Sequence, residues 1–471
     1  MSSPGSERPI LDSFAVGAGT TAVWSVVNLS ESQESLRLDA EYYQPGYLRH
    51  ASSVAEGERL EEIAHTSHPA EIRRVYAPRG LQILLAQNIR PNRLDFSKTA
   101  YMARSVRDRI VRNRLHIDDV VVTRSGANYG DSAVYKGSPS EVYACADCLI
   151  VRPRRVPGGY LSTYLNTTIG RALLTRGAYG MAQPHISRRY LDSLRLPRFG
   201  DEFEQEIDRS IEQAFEMEER SAGLYATAEA ELLSGLGLDA FDAGERLTYT
   251  ANLSDAWSAG RLDAEYFRPR YDMLLRKLDE TGEAVTLGRW LAQPVRRGVQ
   301  PDYSEDGDVV VINSRHVAKT QVEVEANRTT SLAFAQRNER AVLSKYDVLL
   351  NSTGRVTIGR CHSFLADVPA IADSHISIIR PRGGIDPVYL AVFLNSLPGQ
   401  MQTERSWTGS SGQIELTAKC IAKYRVWRPD DAFQRRVREL VEQSYAARQQ
   451  ARRLLDDARR RVEAMVLRLE E

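Results

Sequence analysis

Cysteine is scarce in this chain. Cys145, Cys148, Cys361 and Cys420 are the four present, too few and too scattered for a disulfide framework. Cys145 and Cys148 make a CxxC, but no second CxxC or HxxxH stands nearby to complete a tetrahedral zinc shell. The pair reads as small buried apolar side chains. No apolar run approaches the ~20 residues that a bilayer span needs. The start, MSSPGSERPI, has neither the basic nor the apolar region of a signal peptide, so a cytoplasmic location is expected. A surplus of positive charge is also missing, with 62 basic against 62 acidic residues, whereas a dedicated nucleic-acid binder is usually basic. That balance counts against a lone DNA-binding protein. It leaves open one that reads bases while a partner supplies much of the phosphate grip. Enzyme signatures are absent too. There is no GxxxxGK[ST] phosphate loop, no NPPY-like tetrapeptide, and no Gly-rich strand-to-helix turn for S-adenosylmethionine. Pro301-Asp302 is not followed by the ExK or DxK of a nuclease, and the histidines have no metal or triad spacing. The chain is not expected to be an enzyme.

What the chain has is repetition. Arg37 to Tyr47 reads RLDAEYYQPGY and Arg261 to Tyr271 reads RLDAEYFRPRY, and Asn28-Leu29-Ser30 returns as Asn252-Leu253-Ser254 at the same offset. A chain of 471 residues has room for two to four domains at roughly 100–200 residues each, and the repeat selects two. Asp119-Val120-Val121-Val122-Thr123 with Gly126 matches Asp347-Val348-Leu349-Leu350-Asn351 with Gly354. CLIVRP, ending in Arg152-Pro153, matches ISIIRP, ending in Arg380-Pro381, and both read as strands. Tyr160-Leu161 through Leu165-Asn166 and Gly170 match Tyr389-Leu390 through Leu394-Asn395 and Gly399. Tyr160, Leu161, Tyr164 and Leu165 mark one helical face, and Gly170 suits its end. Leu196-Pro197 and Trp427-Arg428-Pro429 close the globular parts. The fold class expected is mixed α/β (α+β), in two tandem units.

A long helical pattern follows each unit. The first takes Phe203, Ile207, Ile211 and Ala214, then Leu224, Ala228 and Leu232 toward Gly235. The second runs Phe433, Val437, Leu440, Ser444, Ala447, Ala451, Leu454, Ala458, Val462, Met465 and Leu469, close to the 3-4 alternation of a coiled-coil seam. An antiparallel pair would bury both stripes and make a rigid spacer. The organisation expected is an N-terminal segment 1–35, a first recognition unit 36–200, a helix and connector 201–240, a second unit 241–430 and a helix 431–471. Met1 to Val23 have no counterpart before the second copy.

This order is a Gly-punctuated strand turn, an RP-ended strand, a YLxxxLN helix, a closing strand and an FxxxIxxxI helix, all repeated once. It resembles the specificity (S) subunit of type I restriction-modification systems over almost the whole chain, and the RLDAEYxxP element resembles segments common in that family. The resemblance implies two target-recognition domains, one per half-site of a split, asymmetric sequence in double-stranded DNA, held apart by an antiparallel coiled coil. It implies partner methyltransferase subunits that modify adenine using S-adenosylmethionine, and a restriction subunit that translocates and cuts. S-adenosylmethionine, ATP and Mg would then sit on those partners and no cofactor or metal on this chain. A specificity protein of another DNA-modification or anti-phage defence system stays open as an alternative, as does an enzyme with an unrecognised site.

Candidate DNA-reading residues cluster at matching places. In copy one, LAQNIRPNRLDF carries Gln87, Asn88, Arg90, Asn92 and Arg93 just beyond an apolar strand. Asn and Gln can hold adenine by two hydrogen bonds, and Arg can hold guanine or grip phosphate. The turn TRSGANYG adds Arg124, Ser125, Asn128 and Tyr129, with Gly126 and Gly130 permitting close backbone approach. Lys136 is expected on the next strand, and GMAQPHISRR supplies Gln183 and His185 followed by Arg188 and Arg189. Copy two offers Asn313, Ser314, Arg315 and His316 after VVVI, then Asn351, Ser352, Thr353 and Arg355 in NSTGRVTIG. Its segment RSWTGSSGQIEL holds Arg405, Trp407, Ser410, Ser411 and Gln413, a loop suited to ordering on DNA. For any of these alone, a solvated loop residue is the competing reading. Arg435-Arg436, Arg452-Arg453 and Arg459-Arg460-Arg461 read as a solvated helix face, with a methyltransferase-docking surface as the alternative. Asp39, Glu41, Asp263 and Glu265 of the RLDAEY elements read as structural or partner-docking groups rather than a catalytic pair.

Overall fold

The strands with the most continuous apolar character become the centres of the sheets. A computed structural model of the chain describes residues 23–71, 73, 75–96, 99–180, 183–244, 248–324, 328–409 and 414–469. Of the unmatched first residues, only Val23 is among them. The chain divides into unit 1, which runs to Met217 and resumes at Gln450, and unit 2, Glu218–Gln449. In unit 1, Val120–Thr123 is buried at every position. It lies between Cys148–Pro153 and Ser132–Val134 in an antiparallel four-stranded sheet that Ala64–Ser67 completes. A second sheet places Tyr76–Leu84 between Ala100–Met102, antiparallel, and Val142–Ala144, parallel.

Unit 2 repeats this topology strand for strand. Val348–Asn351 sits between Ile376–Ile379 and Cys361–Ser363, with Arg296–Arg297 at the edge. Val309–Ile312 pairs antiparallel with Thr329–Thr330 and parallel with Ala370–Ala372. A small antiparallel pair closes each unit: Glu58–Arg59 with Arg195–Leu196, and Ala284–Thr286 with Arg425–Trp427. The fold class is the mixed α+β one that the sequence implies.

Repeated residues recur because they make repeated bonds. The Arg of each RP motif forks onto the Asp that precedes the central strand. Arg152 donates from Nε and Nη2 to Asp119 at 2.8 Å each, and Arg380 does so to Asp347 at 2.6 Å each. The same carboxylates accept the backbone N–H of His116 and Ser344, both at 2.8 Å. Tyr160 of the YL pair donates to Pro197 O at 2.7 Å, and Tyr389 donates to Trp427 O at 3.0 Å. Each RLDAEY element is clamped by its own arginine, with Arg37 on Asp39 and Arg261 on Asp263 through Nη2–Oδ2 bonds of 2.6 Å. Those arginines also reach the carbonyls of Ala178 and Trp407, both at 3.2 Å, and lie over Tyr42 and Tyr266. The guanidinium fork lowers both carboxyls from their usual range, and Glu41 and Glu265 point to solvent.

The YLxxxLN helix differs from its expected one-sided burial, and the expected role of Gly170 is also corrected. All eight residues of Gly158–Leu165 are buried, because the helix lies between the sheet and the first long helix. A Cβ on Gly158 would sit 2.6 Å from Asp118 O, and one on Gly159 would sit 2.5 Å from Asp208 Oδ1. Helix Gly158–Leu165 stops at Asn166, and Gly170 lies inside the following helix, Thr168–Arg176. Its lack of a side chain serves close packing: a Cβ would be 2.1 Å from Tyr164 O. Gly399 sits equivalently in Leu397–Ser406, after Pro387–Asn395, where a Cβ would be 2.4 Å from Leu394 O.

The two long helices are Asp201–Gly235 and Asp431–Leu467, and they pack together within each unit. In unit 1, Ile207 and Ile211 share a core cluster with Ala458, Val462 and Val466, and Arg461 pairs with Glu206 at 2.8 Å. In unit 2, Tyr225, Ala228 and Leu232 share a cluster with Val437 and Val441. There Ser221 meets Ser444 at 3.0 Å and Arg436 meets Glu231 at 2.7 Å. One residue number rises as its partner's falls, so the helices run antiparallel. The seam follows Gln434, Val437, Val441, Ser444, Arg448, Ala451, Ala458 and Val462, keeping the 3-4 step but shifting from Leu440 to Val441. Arg448 is tolerated there, 8% exposed, because Thr320 O accepts its Nη1 at 2.8 Å and Glu218 lies 3.6 Å from its Nε. In the first helix the seam takes Ser221 and Tyr225 where Leu224 was expected.

His362, on strand Cys361–Ser363, gives unit 2 a pH dependence. It is buried, its Nδ1 donates to Ser363 O at 2.7 Å, and its ring stacks on Tyr225. Burial pushes its pKa down to about 4 from the ordinary 6.5. Between those values the unfolded chain binds the proton and the folded chain does not, so stability rises with pH across that window. At about 1.4 kcal/mol per unit, unit 2 is expected to lose ~3 kcal/mol more than a His362→Gln variant as pH falls from 6.5 to 4. Urea unfolding at several pH values reads this, and parallel curves for the two proteins would refute it.

Candidate nucleic-acid interface

Three segments of unit 1 converge at the C-terminal ends of strands Tyr76–Leu84, Val120–Thr123 and Val142–Ala144. The first is the loop that continues into the hairpin Ile89–Arg90 with Arg93–Leu94. The turn after Thr123 is tied to it by Asn128, whose Nδ2 donates to Ala86 O at 2.8 Å and Ile89 O at 3.0 Å. The hairpin Ala178–Tyr179 with His185–Ile186 joins that turn through Ile186 N on Arg124 O at 3.0 Å. Asp147 anchors the turn from beneath: its carbonyl accepts the N–H of Arg124 at 2.8 Å, and its Oδ1 accepts Ser125 Oγ at 3.2 Å.

Unit 2 builds the same convergence from different residues. Asn351 Nδ2 donates to Ser314 O at 2.8 Å and Val317 O at 3.2 Å, the spacing of carbonyls that Asn128 bridges in unit 1. Asp373 stands in the place of Asp147 and accepts His375 N at 2.8 Å; burial raises its pKa. Thr353 Oγ1 meets His375 Nδ1 at 2.7 Å. Ser352 O accepts the N–H of Leu416 at 2.8 Å, and Thr408 and Glu415 exchange backbone bonds, so the second closing loop leaves and returns beside the turn. Ser410, Ser411 and Gln413 lie outside the described residues.

The candidates separate into those that face solvent and those spent on the framework. Gln87, Arg90, Gln183, Arg188 and Arg189 are exposed in unit 1, and Arg315 and Arg355 in unit 2. Arg93, Arg124, Tyr129, His185, Thr353 and His316 are half-buried at the same places; burial lowers the His316 pKa. Asn88 is buried and caps Leu85 N at 3.0 Å. Asn92 turns the hairpin with φ +53° and accepts Asn166 Nδ2 at 3.1 Å. Asn313 accepts Arg315 N at 2.9 Å. Ser125 and Asn351 are buried.

Lys136 belongs elsewhere. It lies beyond strand Ser132–Val134, not on it, and its Nζ sits 2.8 Å from Asp118 and 3.2 Å from Asp208 with the side chain 7% exposed. Its charge is committed to holding the sheet against the first long helix. Trp407 is half-buried against the core, and Arg405 lies over Tyr266 while pairing with Asp272 at 3.1 Å.

Sequence reasoning missed His375, exposed beside Thr353. The alignment of Ala372-Asp373 with Ala146-Asp147 was the available signal. Cys145 and Cys148 are buried with their sulfurs 3.8 Å apart. Among the described residues no three metal-binding side chains come together, and no helix is long and apolar enough to cross a membrane.

The arrangement defines a class: a duplicated α+β scaffold that carries two non-identical loop clusters on equivalent strand ends. Solved structures that match over 88% of the chain are type I restriction-modification specificity subunits. One is the S subunit from M. genitalium, at 12% identity and TM-score 0.43, with 95% of that chain covered. Another is the HsdS subunit from Thermoanaerobacter tengcongensis, at 12% identity and TM-score 0.26, with 95% covered. A structure describing assembly and conformational transition of a type I system matches at 13% identity and TM-score 0.29, with 97% of that chain covered. No family model and no curated protein matches the chain.

Proposed function

We propose that this chain is the non-catalytic specificity subunit of a type I restriction-modification system, reading a bipartite, asymmetric site in double-stranded DNA. Segments 36–200 and 241–430 are the two target-recognition domains, 201–240 and 431–471 the helices that join them, and 1–35 an N-terminal segment. Partner methyltransferase subunits supply S-adenosylmethionine chemistry on adenine, and a restriction subunit supplies ATP-driven translocation and cleavage, in the cytoplasm. The observation that carries the reading is selective repetition. The Arg–Asp forks, the buried tyrosines and the strand order recur, while TRSGANYG and NSTGRVTIG, on equivalent strand ends, differ. A scaffold kept while its loop side chains change reads two different sequences, because base edges are told apart by side-chain donors and acceptors.

The test is to express the chain with its methyltransferase partner and map methylated adenines in the resulting DNA. A split, non-palindromic motif is expected; a palindrome or one continuous motif would overturn the reading. The purified chain alone is expected to show neither methyl transfer nor cleavage.

A further inference from the structure

We propose that unit 1 carries a second, sequence-independent contact to the DNA backbone, an arginine strip between Arg104 and Arg114. The proposal rests on the DNA-reading function above and adds a place and an asymmetry to it. The strip is ARSVRDRIVRNR, residues 103–114, folded as two short 3-10 turns, Arg104–Arg109 and Val111–Asn113. Its inward positions are apolar or bonded. Ile110 and Leu115 are buried, Val106 packs on the same cluster, and Asn113 bonds to Ala70 and to Ala144 O, the latter at 3.0 Å. Arg104, Arg107, Arg109, Arg112 and Arg114 face outward and all five are exposed, together with Ser105, Asp108 and Val111. Arg107 is paired, with Glu141 at 3.0 Å. Asp108 is the single acid within the strip.

Like charges this dense repel one another, at a cost that a polyanion would relieve. The strip also flanks the reading loops, since Asn113 is bonded to Ala144, on the strand that leads into Asp147 beneath the Arg124 turn. Its counterpart in unit 2, residues 332–341, reads LAFAQRNERA, where Glu339 stands between Arg337 and Arg340. The phosphate grip is therefore concentrated on one of the two readers. That squares a neutral chain with DNA binding, because the strip carries a local excess of positive charge, five arginines against Asp108.

The experiment measures binding of labelled duplexes by the chain in its methyltransferase complex between low and high KCl. The duplexes are the mapped site and a scrambled sequence. The variant is Arg104→Gln/Arg109→Gln/Arg112→Gln/Arg114→Gln, and a second variant carries Lys at the same four positions. At about 0.9 per neutralised phosphate, the slope of log affinity against log salt should become shallower by roughly 3 to 4 in the Gln variant and stay near wild type in the Lys variant. Affinity for both duplexes should fall by the same factor, leaving their ratio unchanged. An unchanged slope in the Gln variant overturns the strip, as does failure of the folded Gln variant to assemble with the methyltransferase, which would make the strip a protein contact. A wild-type complex that does not prefer its mapped site would instead sink the reading of function.

Discussion

Asp347→Ala is expected to destabilise unit 2 by about 3 kcal/mol, near the low end for removing one partner of a buried ion pair. The carboxylate is 4% exposed, takes Arg380 through two bonds of 2.6 Å, and accepts Ser344 N at 2.8 Å. Deleting it leaves the guanidinium with Val342 O at 2.8 Å as a remaining acceptor. Because Arg380 keeps that bond and is 24% exposed, the cost does not reach the upper end. A domain with ~5–15 kcal/mol to spare would lose a large fraction of its stability. Hydrogen exchange in low urea should show lost protection in strands Val348–Asn351 and Ile376–Ile379 while Val120–Thr123 keeps its own. Uniform loss across both units, or loss under ~1 kcal/mol, would contradict the account. Asp347→Asn retains an acceptor and should cost less.

On the function proposed above, replacing residues 36–200 with the matching segment of a type I specificity subunit is expected to change one half of the methylated motif completely and leave the other half intact. The exchanged segment contains all three converging loops of unit 1, with their ties through Asn128, Asp147 and Ile186. None of the unit 2 ties through Asn351, Asp373 or Glu415 is touched. Each mismatched base pair costs roughly 1–3 kcal/mol, so a reader with new side chains abandons its old half-site. Methylation mapping decides it: simultaneous change in both halves would mean that the loops do not read independently.

Much of the fold was legible because its signals are local or periodic. The duplication stood in RLDAEY, the central strands in VVVT and VLLN, and the long helices in their 3-4 spacing. Each depends on side chains a few residues apart, and so survives without knowledge of the partner. The seam itself was read one position off at Val441 because Leu440 and Val441 are both apolar, and only the packed partner selects between them.

The site was less legible. Amino-acid identity places donors and acceptors on loops, but their use depends on residues far away in the chain. Asn128 and Asn351 looked like base readers; their amides span loop carbonyls 39 to 42 and 34 to 37 residues away. Lys136 reads from sequence as a candidate DNA-reading residue, yet Asp208, 72 residues on, lies within 3.2 Å of it. The sequence by itself therefore determined the repeated architecture and where variable loops would fall, since periodicity and repetition are properties of neighbouring residues. Only the tertiary structure decided which polar side chains remain available to a ligand, because a hydrogen bond belongs to whichever group the fold brings within reach.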